Sequence, residues 1–267
     1  MQAPGAAIFT QVSELVWCNS FVTIEFFDLN MNLKREIEPT EKAKAILRGY
    51  IQRRRNLPNV LRAARQHVSD ANCDMKYQHA DGRVDSIEHE GEIVKCLQQQ
   101  FGERIRVAKV RWWYDILLHD YYCGWIPVNI KTTTMRTSDN VGNLTICAYA
   151  YTNLNVGFDK KRNIGYWKER LPVAIANKRQ LNRSNRDYYF LVVNKSNPAD
   201  VVVNGLRGID CLTCNASNLP FQIKWMTNRK YKLLAVNTVV AAYVAAASPA
   251  AESSKETYLR LMRNLKL

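Results

Sequence analysis

Two runs of alternating residues flank a six-residue connection, and they constrain this chain more than any other feature. In the first run Ala108, Val110, Trp112, Tyr114, Ile116 and Leu118 are apolar, while Lys109, Arg111 and Asp115 occupy positions between them. In the second, Ile126, Val128 and Ile130 alternate with Asn129, Lys131 and Thr133. Side chains alternate across a strand, so each run predicts a β-strand with an apolar and a polar face. A compact turn centred on Tyr122 makes the pair an antiparallel hairpin. Asp115 then lies directly opposite Asn129 and diagonal to Lys131, with opposed Cβ atoms about 5 Å apart. A carboxylate, an amide oxygen and an ammonium converge there, which suits a divalent metal, a water and a phosphate.

With 267 residues, 47% of them hydrophobic, the chain has the size and composition of a globular protein with a substantial core, not of a disordered one. It carries 38 basic and 24 acidic residues, a net charge of +14. An excess this large favours a polyanionic partner, most often nucleic acid. The opening MQAPGAAIFT has no basic stretch of the kind that begins a secretory signal. Leu233–Ala247 is the most apolar segment, too short to span a bilayer and expected to be a buried helix or strand. No membrane partner is expected. The seven cysteines are scattered, as in a reducing cytoplasm. Cys211 and Cys214 form a lone CxxC, which reads as two ordinary thiols.

One α/β domain over 1–267 is expected, with a mixed central β-sheet flanked by helices. Residues 1–80 form an N-terminal helical and strand elaboration, 82–150 the core, and 151–267 a recognition and C-terminal part. Residues 7–38 alternate as strands do, Thr40 is a plausible N-cap, and Pro58 starts a further helix. The basic positions between Lys42 and Arg65 suit either a phosphate backbone or a solvated helix face.

After an Asp-, Asn- and His-rich loop, Ser86–Gly102 predicts a helix capped by Ser86 and stopped at Gly102. Ile87, Val94, Leu97 and Phe101 form its apolar stripe, with Glu90 in the middle. A carboxylate there is costly unless a metal, a lysine or backbone donors satisfy it, or unless the helix is tilted and Glu90 sits at the edge.

Beyond the hairpin, Thr134, Ser138, Asp139 and Asn140 lie in a hydroxyl- and amide-rich loop suited to phosphate contacts and to local backbone bonds. From Lys160 to Arg186 there are nine Lys or Arg and one acid. Within it, Lys178, Arg179, Asn182, Arg183, Asn185 and Arg186 are candidates for DNA contact. Asn can read adenine edges and Arg guanine, while a flexible basic surface loop has the same composition. Asn228, Arg229 and Lys230 make a second candidate tip. Leu144–Tyr151 is a strand or a helix start, Tyr188–Asn194, Val201–Asn204 and Phe221–Trp225 are strands, and Glu252–Lys266 is helical.

The order of elements resembles the PD-(D/E)XK nuclease superfamily, and within it the type II restriction endonucleases. A helix with an inward acid, Glu90, is followed by Tyr114-Asp115, a short turn, and Asn129-Ile130-Lys131. The resemblance covers roughly residues 82–230. It implies a Mg²⁺-dependent, sequence-specific endonuclease acting on double-stranded DNA, a homodimer in a prokaryotic cytoplasm. Asp115 would then ligate Mg²⁺ and Asn129 would occupy the place of the second acid. Lys131 would orient or deprotonate the attacking water and stabilise the phosphate. Glu90 would support the metal or hold Lys131. Two positions depart from the family pattern: Tyr114 replaces the usual Pro, and Asn129 replaces an acid, which removes one negative charge. Glu90 compensates, or this branch uses Asn, or the chain is a weakened form. The same residues also suit a hairpin with a surface Asp–Lys pair. A non-catalytic DNA-binding protein is the competing function. An RNA-binding protein fits less well, because its ring-stacking motifs are absent.

Overall fold

The computed structural model describes residues 17–18, 21–22, 24–27, 33–37, 41, 56–71, 82–136, 138–140, 143–159, 164–184, 186–214 and 221–264. The chain divides into two compact units, Met1–Arg53 and Arg54–Leu267. The first contains two antiparallel pairs, β1 (Trp17–Cys18) with β2 (Phe21–Val22) and β3 (Ile24–Phe27) with β4 (Leu33–Ile37). The expected helix after Thr40, apart from Glu41, and the part of the Lys42–Arg65 basic stretch up to Arg55 lie outside the described residues, while Arg62 and Arg65 are exposed on the next helix.

The second unit is mixed α/β. Its helices are α1 (Asn59–Ala71), α2 (Gly82–Phe101), α3 (Leu144–Tyr151), α4 (Ile164–Ala176) and α5 (Val236–Asn264). The main strands are β5 (Ile105–Val107), β6 (Ile116–Asp120), β7 (Gly124–Thr133), β9 (Tyr189–Asn194) and β10 (Asn197–Gly205). They form one mixed sheet in the order β10-β9-β7-β6-β5, with β7 and β9 parallel and the other pairs antiparallel. A smaller sheet holds β8 (Ser138–Asn140), β11 (Leu212–Cys214) and β12 (Phe221–Lys224).

Strand alternation sorts the core into two layers. Ile126, Val128 and Ile130 of β7, with Leu191 and Val193 of β9, pack against Val60, Leu61, Ala64 and Val68 of α1 and Ile93 and Leu97 of α2. On the other face Leu117, Phe190 and Val192 join Tyr151, Trp113, Trp225 and Val239. Both faces are covered, which is why β9 reads as an unbroken apolar run. No described helix is long and apolar enough to cross a membrane.

Three local expectations change. The first run is not one strand: the sheet is left after Val107, the chain turns, and β6 begins only at Ile116. Arg111 has a φ of 69°, in the left-handed region, so that turn cannot be extended backbone. The Glu90 helix starts at Gly82, so Ser86 lies within it and is not its cap. Its stop at Gly102 is as expected, with φ at +51°. The helix is also rotated about its axis: Ile87 is 73% exposed, and His89 and Ile93 are buried in its place.

Candidate active site

The β6–β7 hairpin pairs Ile116 with Val128 and Asp120 with Gly124. Tyr122 is therefore at the centre of the connection, and Asp115, the residue before β6, stands beside Asn129. Asn129 Nδ2 donates to Asp115 Oδ2 at 2.6 Å. The main-chain N–H of Ile130 donates to the same oxygen at 2.8 Å.

That second bond has a structural origin. Alternate residues of a strand direct their N–H groups to the same side. Ile130 and Thr132 both lie beyond Val128, the partner of the first residue of β6. Their N–H groups lack a ladder partner and need one. Asp115 takes the first, and the N–H of Thr132 favours the charged form of the Glu90 carboxylate. The overhang of β7 past β6 thus holds Asp115 and turns a second N–H toward Glu90.

Glu90 is half-buried at the edge of its helix stripe. Burial raises its carboxyl to about 7, against the pull of the Lys131 ammonium and with a further push from Asp115. The Thr132 N–H and Lys195 also hold it down. Asn129, Lys131 and Asp115 are half-buried too. By alternation Asn129 and Lys131 leave β7 on the face of Phe190 and Val192, their neighbours on β9. A cleft of about 260 Å³ opens beside the two acids, lined by Glu90, Asp115, Gly91, Val94, Lys109 and Trp112 among others, but not by Asn129 or Lys131.

Among the described residues no three His, Cys, Asp or Glu side chains are grouped to hold a metal ion. A cation here would rest on Asp115, Glu90 and neutral oxygens. Two carboxylates suit Mg²⁺, which keeps several of its waters. The Asn129 amide would have to turn its oxygen inward, since its nitrogen now faces Asp115.

The proposed DNA-contact residues separate into two groups. Thr134, Lys178, Arg179, Arg183 and Lys230 are exposed. Ser138 is half-buried, and Asn140 is exposed and accepts from Gln222 Nε2 at 2.8 Å. Asn185 lies outside the described residues, as do Lys160 and Lys161. Three others are built into the fold, which corrects the expectation that they face a groove. Asn182 is 0% exposed; its Nδ2 donates to Ala150 O and Arg186 O, and its Oδ1 accepts from Ser184. Arg186 donates to the carbonyls of Tyr149 and Thr152 and lies over the Tyr149 ring. Asn228 is buried, bonded to Cys211 O and Lys224 O. Arg229 is paired with Asp200.

Asp139 lies on the strand β8, and its carboxylate is bonded within the fold. It accepts from Trp225 Nε1 at 2.7 Å and Thr133 Oγ1 at 3.2 Å. Burial raises its carboxyl, while those two bonds and then the ammoniums of Lys131 and Lys195 lower it. Lys195 was not singled out by sequence; it sits in the β9–β10 turn with no motif around it.

No protein-family model matches the chain, and no curated protein matches it significantly.

Proposed function

We propose that the chain is a Mg²⁺-dependent endonuclease that hydrolyses phosphodiester bonds of double-stranded DNA at a specific sequence, in the manner of the type II restriction enzymes. One observation carries the reading: Asp115, Asn129, Lys131 and Glu90 meet where β7 outruns β6. The net charge of +14 supports a polyanionic substrate.

Each residue has a role. Lys131 sets positive charge against the oxygens on which negative charge develops. Glu90, whose carboxyl is raised to about 7 by burial, would give up its proton on taking up the cation, and Lys131 would orient or deprotonate the attacking water. Asp115, Glu90 and the Asn129 amide oxygen would hold Mg²⁺, which supplies Lewis acidity toward the phosphate when bound. Exposed Lys178, Arg179, Arg183 and Lys230 would hold the DNA backbone or read bases. A symmetric target would call for a two-fold dimer, and a prokaryotic cytoplasm is the setting the reading implies.

The test is Mg²⁺-dependent cutting of a mixed plasmid and phage DNA set. Wild-type protein should produce discrete fragments. Lys131→Ala should cut about 10²–10³-fold more slowly and still bind DNA. Undiminished cutting by Lys131→Ala would refute the assignment. The second reading, a non-catalytic DNA-binding protein, is favoured by Asn129, which brings no charge and donates to Asp115. Binding without cutting by the wild type decides for it.

A further inference from the structure

The strands β7 and β9 run parallel, and Thr133 is in register with Asn194. In open α/β sheets, ligands gather at the carboxyl ends of parallel strands. The residue that follows β9 at that end is Lys195. Its main-chain N–H donates to Thr133 O at 2.8 Å, which ties the turn to the end of β7. Its Nζ donates to Ser86 Oγ, one helical turn before Glu90 on α2. Lys195 is half-buried, so its position is set from both directions while part of it reaches solvent.

Two lysines thus flank the same strand end. Lys131 leaves β7 on the Phe190–Val192 face, and Lys195 reaches toward α2 on the other. Both act on Glu90 and both act on Asp139. Lys131 is in register with Val192, three residues before Lys195. At about 3.3 Å per residue the two backbones are roughly 10 Å apart along the strands. Two such side chains can hold successive phosphates of one DNA strand.

We propose that Lys195 is a phosphate-binding residue, holding the backbone phosphate next to the one that Lys131 serves. This rests on the nuclease reading for the identity of the anion, DNA. Its chemistry is one charge-assisted contact to a phosphodiester oxygen.

The experiment is the salt dependence of DNA binding, measured with Ca²⁺ in place of Mg²⁺. Lys195→Gln removes the charge and keeps a donor for Ser86; Lys195→Arg keeps the charge. One phosphate contact contributes about 0.9 to the slope of log Kobs against log salt. Lys195→Gln should lower the slope by about 0.9 and weaken binding roughly eightfold at 0.1 M salt. Lys195→Arg should restore both. An unchanged slope in Lys195→Gln overturns the proposal. So does an arginine variant that behaves like the glutamine one, since the effect would then be structural. Wild-type protein without affinity for DNA removes both this proposal and the nuclease reading. Binding without cutting in Mg²⁺ removes only the latter.

Discussion

Among the described residues two carboxyl groups are pushed to about 7, Glu90 and Asp187, and they sit in opposite kinds of surroundings. Asp187 lies before the amino end of β9 and is 2% exposed. It accepts the main-chain N–H groups of Tyr188 and Arg207, and Arg207 in turn donates to Ser184 O. Asn182 and Arg186 close the same region by bonding to main-chain carbonyls. A Cβ added at Gly205 would collide with the Asp187 carboxylate, so protein atoms pack directly against it. Glu90 meets a lysine, a second acid and a cleft. A raised carboxyl is therefore no guide to function by itself. What separates the two is whether anything but protein can approach.

The comparison breaks most sharply at Glu90. Glu90→Gln should slow cutting by about 10²-fold or more, the usual worth of a positioned acid or base, with little loss of stability. Asp187→Asn should leave cutting intact; a matching loss of activity there would erase the distinction.

Stability against pH gives the second test. Asp187 rises from 3.8 to about 7 on folding. Between pH 4 and 7 the folded protein keeps a proton that the unfolded chain has released. The unfolded state then binds fewer protons, so stability falls as pH rises through this window and levels off above it. The fall is on the order of a few kcal/mol. Urea titrations should show a flatter profile for Asp187→Asn. An unaltered profile would mean that Asp187 is not held protonated.

A smaller effect is expected from Asn182→Ala, which leaves the carbonyls of Ala150 and Arg186 without their donor. It should cost about 1–3 kcal/mol in urea unfolding and leave sequence preference unchanged. Altered preference with full stability would return Asn182 to the recognition surface.

These contrasts explain what the sequence carried. The hairpin register was legible because alternation and a short turn leave few pairings, and a one-residue slip would put Ile126, Val128 and Ile130 on the wrong face. The strands expected at Tyr188–Asn194 and Val201–Asn204 followed from apolar runs, the second of them reaching back to Asn197 through residues that carry no such signal. The rotation of α2 did not, since Ile87 and Ile93 are equally apolar and only packing against α1 chooses between them. Nor did the fates of Asn182 and Arg186. Each is held by a carbonyl near the end of α3, more than 30 residues away, and main-chain acceptors leave no trace in residue identity. Lys195 was silent for a related reason: its place depends on parallel pairing between distant strands.

The extra length of β7 has one further consequence. Because the amide proton of Ile130 rests on the Asp115 carboxylate and not on a neighbouring strand, the backbone itself becomes a reporter of the site. Drawing Asp115 onto a cation weakens the acceptor of that amide. Nuclear resonance or deuterium uptake at Ile130 then registers occupancy directly, without a substrate and without an added probe.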